Sequence, residues 1–438
     1  MQKICVVSKI RGKLREMMRN KTLKHINYNM VLSTIIITLI LVVPHVVNDY
    51  IIITIRGIDI YILDILLLLY FLSPIGLKML FNYLNFKKSN MCKIGLNLWV
   101  LYITFNALYS IMYQGNDKNA VFGYLRTYVY YSLLFIIISN FNNSKIEKFL
   151  ILASGFLISL YAIFNLATGK GYRDDIFTIN QYLDTKRYIS YVYGTILFLP
   201  FNLLLWEFIQ LKTKIKNVLL LGALIIAIII SNYRVMWLSL LVTVLIWFII
   251  YMRCTKESLR VIKKVCVLGL LLFLSIEIIT NYFNYQKIYS IKLKNESLMI
   301  AFETRKILLN SSIYVFKKFP LFGAGIGYQN PFDLFTVHND FVQILRDTGM
   351  IGFTLFILMI YLAVNNFLRS KSSKVFGCKF NNETLPYVVA LINSCVTALF
   401  QPFFIQRIGY AYLMFLIGLI NKEKERVNTD TERRSLNQ

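Results

Sequence analysis

Residues 217–252 read NVLLLGALIIAIIISNYRVMWLSLLVTVLIWFIIYM, a stretch in which Arg234 is the only charge. The apolar runs on its two sides, 217–233 and 235–252, are each close to the ~20 residues with which a helix crosses the ~30 Å hydrocarbon core of a bilayer. Lipid offers the backbone no hydrogen-bond partners, so a run of this kind spans as a helix. Comparable runs occupy 29–48, 58–76, 95–113, 121–140, 149–167, 189–210, 265–283, 349–367, 385–402 and 404–421. Together they predict an all-α polytopic membrane protein with about twelve transmembrane helices. Nine fall within 29–283 and three within 349–421, and one long loop, 284–348, lies between.

Composition points the same way. Of 438 residues, 57% are hydrophobic and 16% charged, against about 45–50% and about 25% in soluble domains; the mean hydropathy is +0.57. A soluble enzyme, a secreted disulfide scaffold and a single-anchor protein are excluded. Residues 1–28 are basic but lack the short apolar core and small-residue cleavage site of a removable signal.

The formal charge of +26 would suggest nucleic acid in a soluble chain, so its distribution decides its meaning. Alternate loops and the two termini hold thirty-one Lys and Arg on one side of the predicted spans, against eight in the short loops of the other. Long loops translocate largely regardless of charge, and 284–348 is left out of the count. The excess marks the cytoplasmic side. The segments 1–28 and 422–438 are therefore predicted inside and 284–348 outside, and the basic balance requires no nucleic acid. Cys5, Cys92, Cys254 and Cys378 fall in the inner segments, with Cys266 and Cys395 within spans. No outside disulfide and no Cys/His metal spacing follows from that pattern.

Polar groups that appear against the hydrophobic cost mark function in such a protein. Within the long loop, 298–318 predicts a helix, with Phe302, Leu309, Ile313 and Phe316 at helical spacing and Arg305 and Lys306 at the edge of that stripe. Such a helix suits either the membrane surface or a substrate. Pro320 ends it, and Gly323, Gly325 and Gly327 follow, able to turn tightly and to approach a ligand. No strand precedes them, so this is not a dinucleotide loop. His338, one of three histidines, stands ahead of the tenth span, where an imidazole can take a proton near neutral pH. Arg234 lies in an outer turn with scarcely any loop. It either snorkels to lipid headgroups or holds an anion in a cavity, a task suited to its paired, permanently charged donors. Arg126, within the fourth span, is costly to bury and is expected to face the bundle, with Asp64 and Glu277 as candidate partners for such cations.

The order of these elements resembles the O-antigen ligase/polymerase family. The resemblance rests on Ser231–Arg234, Arg305, Pro320–Gly325, His338–Asn339, and Asp347 with Gly349 and Gly352, and it covers roughly 228–367. Arg187, ahead of the sixth span, extends it. Tyr233 stands where the family usually has serine beside the arginine, and Asp347 where it has glutamate. The resemblance implies inverting, metal-independent glycosyl transfer at the outer face of a bacterial cytoplasmic membrane, from a polyprenyl-diphosphate-linked oligosaccharide. His338 would be the general base. Arg234 and Arg305 would stabilise the leaving diphosphate, and Arg187, Arg126, Asn339, Gly323 and Gly325 would bind substrate. No cofactor is implied, because the donor arrives on a lipid. The expected activity is that of a Wzy-type polysaccharide polymerase, joining repeat units into capsule or O-antigen, with a chain-length regulator as a possible partner. An O-antigen ligase is the rival within the class. A flippase of the same lipids is the rival outside it, although a flippase should show related halves and midplane polar sites, which the sequence lacks.

Overall fold

A computed structural model describes residues 30–41, 51–55, 58–84, 91–141, 143–168, 189–209, 215–231, 233–254, 295–329, 338–368 and 384–436. The described elements start with α1 (Met30–Leu41), then a hairpin of β1 (Ile51–Ile55) and β2 (Ile58–Tyr61), then α2 (Ile62–Leu72), α3 (Pro74–Leu84) and α4 (Met91–Met112). A broken helix follows: α5 (Lys118–Leu125), a π-turn (Arg126–Tyr130) and α6 (Leu133–Ser139). Next come α7 (Ser144–Thr168), α8 (Tyr191–Ile209), α9 (Ile215–Ile230), α10 (Arg234–Cys254), α11 (Asn295–Lys318), α12 (Asp340–Leu368), α13 (Leu385–Phe400) and α14 (Arg407–Leu436). This is a multi-pass membrane protein, mostly helical.

Five of these segments are long and apolar enough to cross a membrane: Met91–Met112, Lys118–Ser139, Ser144–Thr168, Tyr191–Phe208 and Asp340–Asn365. The bent pair Ile62–Leu72 and Pro74–Tyr83 would make six, and Met30–Leu41, Ile215–Ile230, Arg234–Ile250 and Leu385–Phe400 are shorter apolar helices. The expected span at 265–283 lies outside the described residues. The second expected span, 58–76, is corrected. Its first residues pair as a strand, Ile60 with Ile53 and Ile58 with Ile55, and its helix breaks by 84° before Pro74. Proline cannot donate the N–H that a continuing helix would use. The Ser73 hydroxyl closes the break by donating to the Tyr70 carbonyl and accepting from the Gly76 N–H.

The tenth span is also redrawn. Its helix opens at Asp340, nine residues ahead of the expected Gly349, which becomes a kink with φ 67° and ψ −172°. Helix α11 covers the predicted 298–318, but its buried stripe is Leu308, Ser312 and Val315. Ile313 is exposed, and Leu309 and Phe316 are only half-buried. The final helix runs well past 421, through most of the expected tail.

Helix α14 is the axis of the bundle. Residues Tyr410–Ile417 are fully buried, as expected of a helix that is apolar on every side. It packs on α6, α12 and α13. Polar side chains join the surrounding helices where lipid tails give no hydrophobic drive. The Asn202 amide donates to Asn393 Oδ1 at 3.2 Å, Trp247 donates to Asn202 Oδ1 at 2.8 Å, and the Asn393 amide donates to the Thr243 hydroxyl at 2.8 Å. One end of the bundle gathers the basic loops: Lys422 pairs with Glu147 and Lys148 with Glu207. The other end carries the first residues of α10, α12 and α14.

Candidate functional site

That second end is assembled around the start of α12. Asn339 caps the helix, its Oδ1 accepting from the Val342 N–H at 3.1 Å, which satisfies one of the free donors of a first turn. Asp340, fully buried, accepts from the Phe403 N–H at 2.7 Å and from the Phe404 N–H. The turn between α13 and α14 is thereby fastened beside His338, which is half-buried. The same turn reaches a third helix. Tyr191 donates to the Pro402 carbonyl at 3.1 Å and accepts from the Gln406 amide. Its ring meets that of Tyr233 edge-on at 5.8 Å. Tyr233 immediately precedes Arg234, which is exposed at the first position of α10. A chain of direct contacts thus brings His338 and Arg234 to one end of the molecule, although over a hundred residues separate them.

The glycine loop lies against α12. The Ala324 N–H donates to the Arg346 carbonyl at 2.9 Å, the Gly325 N–H to the Asp347 carbonyl at 3.0 Å, and the Met350 N–H to the Pro320 carbonyl at 2.9 Å. Asn106 of α4 clamps the other edge, donating to the Phe322 carbonyl at 2.8 Å and accepting from the Ile326 N–H at 2.9 Å. Gly323, Gly325 and Gly327 have φ of 74°, 87° and 77°, a left-handed region that glycine alone enters at no cost. A Cβ on Gly323 would lie 2.5 Å from the Asp347 carbonyl, and one on Gly325 would lie 2.4 Å from the Ser110 hydroxyl oxygen. These two glycines are buried against protein. Packing accounts for them, and the loop they form holds α11, α12 and α4 together.

Between loop and helix sits a buried charge pair. Arg346 Nε meets Asp347 Oδ1 at 2.7 Å, with the guanidinium 5.5 Å from the centre of the Tyr328 ring. Gln343, one turn back, donates to the Tyr124 hydroxyl at 3.4 Å. Arg305 is exposed on α11, which packs along α12. Arg187 lies outside the described residues.

Arg126 stands in the π-turn, an inserted residue that widens the helix and is frequent at functional sites. It pairs with Asp64 at 3.3 Å, as the sequence suggested, and its guanidinium lies 5.1 Å from the Tyr61 ring centre. Arg407, counted from sequence only as a loop charge, stacks on the same ring at 3.8 Å. The signal that could have found it is an arginine at the head of the uncharged run 408–421, the pattern already noticed at Arg234. No periodicity could bring 61, 126 and 407 together.

Residues 218–357 match the family model described as O-antigen ligase. The matched segment holds Arg234, Arg305, the glycine loop, His338, Asn339 and the Gly349 kink, and it bears out the resemblance read over 228–367. It also supports a membrane transferase of lipid-linked oligosaccharides. Tyr61, Asp64, Arg126 and Arg407 lie outside it. No curated protein matches the chain.

Proposed function

We propose that the protein polymerises polyprenyl-diphosphate-linked repeat units into capsular polysaccharide or O-antigen, at the outer face of a bacterial cytoplasmic membrane. The observation that carries this reading is the shared end of the bundle. His338 at the start of α12 and Arg234 at the start of α10 are tied through Asp340, the 401–406 turn, Tyr191 and Tyr233. In the reaction an acceptor sugar hydroxyl attacks the anomeric carbon of the donor, and its proton passes to His338. The bond from that carbon to the diphosphate oxygen breaks, a glycosidic bond forms on the opposite face, and the configuration inverts. Arg234 and Arg305 stabilise the charge growing on the diphosphate. Asn339 and Asp340 hold the histidine's segment, and Gly323 and Gly325 let the glycine loop dock on α12.

The O-antigen ligase reading is the second one, because the matched family carries that description. Products separate the two. Purified protein in vesicles, supplied with one lipid-linked repeat unit alone, should yield a ladder of chain lengths. Transfer only after a different acceptor lipid is added would favour the ligase.

Two further results are expected. With both termini inside, single cysteines replacing Asn295 and Thr336 should be labelled by an impermeant reagent from the outside of whole cells; labelling only after the cytoplasmic side is opened would remove the reading. Transfer should also survive chelation. Activity lost in EDTA and restored by Mg²⁺ or Mn²⁺ would refute the metal-independent mechanism and direct attention to Asp174 and Asp175.

A further inference from the structure

The first turns of α12 bury four polar or charged side chains: Asp340, Gln343, Arg346 and Asp347. Such groups are costly within a spanning segment and face the interior of the bundle. Three of them are taken up by protein. Asp340 holds the 401–406 turn, and Arg346 pairs with Asp347. Gln343 is not taken up in the same way. It is 3% exposed, and its amide nitrogen donates to the Tyr124 hydroxyl at 3.4 Å, close to the limit of a hydrogen bond. Its carbonyl oxygen, Oε1, has no hydrogen-bond partner among the described residues. A leucine of similar size would leave no oxygen unpaired there, so the amide calls for an explanation.

The chemistry around that oxygen is selective. Tyr124, half-buried on α5, accepts the Gln343 bond and keeps its own phenolic proton to give. The two side chains therefore present an acceptor and a donor side by side. A hydroxyl group both gives and takes a hydrogen bond and can satisfy the two together. An ionised diphosphate only accepts, and an acyl chain does neither. The position is equally specific. The Gln343 N–H donates to the Asn339 carbonyl at 3.1 Å, so Gln343 lies one turn, about 6 Å along the helix axis, from the residue beside His338.

We propose that Gln343 and Tyr124 form a hydroxyl-recognition subsite for the acceptor sugar. A ring hydroxyl near the attacking one donates to Gln343 Oε1 and accepts from the Tyr124 hydroxyl, which orients the sugar against His338. The inference rests on the transferase reading of His338 and deepens it, by naming what holds the acceptor.

The test uses full-length protein in vesicles, with the lipid-linked repeat unit purified from the cells that make it as donor. The same oligosaccharide cut from its lipid has no diphosphate to lose, so it can enter only as acceptor. Its half-saturating concentration, as acceptor or as inhibitor, should rise about tenfold in Gln343→Leu, the worth of one hydrogen bond to a buried group. Tyr124→Phe should raise it by a similar factor. The melting temperature of Gln343→Leu should hold or rise, because leucine buries no unpaired oxygen. Binding of a polyprenyl diphosphate that carries no sugar should match wild type, since the subsite takes a hydroxyl. An unchanged half-saturating concentration in Gln343→Leu would overturn the subsite. So would a lowered melting temperature, which would make the amide structural, or weakened binding of the sugar-free diphosphate. With wild type active and His338→Ala inactive, each of those three results would leave the transferase reading standing. If inserted wild type makes no product, that reading falls and the subsite with it.

Discussion

His338→Ala should lower turnover by about 10²–10⁴-fold, the range that a positioned general base contributes, with insertion and donor binding intact. The structural basis is that His338 lies just outside the elements that build its surroundings. The cap on α12 is Asn339, and the fastening of the 401–406 turn is Asp340, so neither is lost with the imidazole. A neutral ring also adds little to the binding of a diphosphate. Arg234→Lys should behave differently. Arg234 is exposed and heads α10. A lysine keeps the charge but not the planar pair of donors that fits a phosphate, so its defect should extend to donor binding as well as turnover. The comparison needs membranes with matched protein levels, a donor-binding assay and product lengths on a gel. Wild-type chain lengths from His338→Ala would remove the histidine from the mechanism.

Much of the bundle is legible as hydropathy. The run expected at 149–167 is Ser144–Thr168, and that at 189–210 is Tyr191–Ile209. These segments must satisfy their backbones alone, and length with apolarity is then sufficient. Reading fails where local chemistry competes with hydropathy. IIITIRGIDIY is apolar enough to pass for part of a helix, yet it is rich in β-branched residues on both sides of an Arg-Gly pair, and Ile51–Ile55 pairs with Ile58–Tyr61 as antiparallel strands. The polar stretch before Gly349 looks like loop, but Asn339 followed by Asp340 is a helix-start signature, and the helix begins there.

The candidate site divides along similar lines. Arg126 is visible because a charge inside an apolar run is expensive, and Asp64 could be named as a partner for the same reason; the two do meet. Arg407 falls at the outer end of the predicted run 404–421 and reads as one more charge near the outer face. Its partners on Tyr61 and the neighbouring Tyr131 come from remote parts of the chain, and only the packing of α14 through the centre of the bundle brings them to it. The glycines show the converse. Their presence is obvious in sequence, but their purpose depends on what faces each one, and the atoms facing Gly323 and Gly325 belong to protein.

Gly349→Ala should be strongly damaging, and Gly115→Ala measures why. Both glycines have φ near 66°, and both exchanges add one methyl group. At Gly115 nothing lies within 4 Å of the new Cβ, so the cost is the left-handed backbone alone, roughly 1–2 kcal/mol. At Gly349 ψ is −172°, which places it in a region that is essentially glycine's own, with a strain of about 1–3 kcal/mol. The Cβ would also fall 2.3 Å from the Leu321 carbonyl oxygen and 2.5 Å from the Gly323 nitrogen. Those are backbone atoms on the opposite edge of the glycine loop and cannot rotate away. Relief requires the loop to part from α12, breaking the bonds from Met350 to Pro320 and from Gly325 to Asp347, each worth about 1 kcal/mol net. The loss of loop docking should displace Arg346, the kink and the His338 segment together. Transfer should therefore fall to background in Gly349→Ala and persist in Gly115→Ala, with the melting temperature lowered several-fold more in the first. Equal melting temperatures for the two variants would mean that the loop gives way without cost, and the loop could then no longer be what fixes the start of α12.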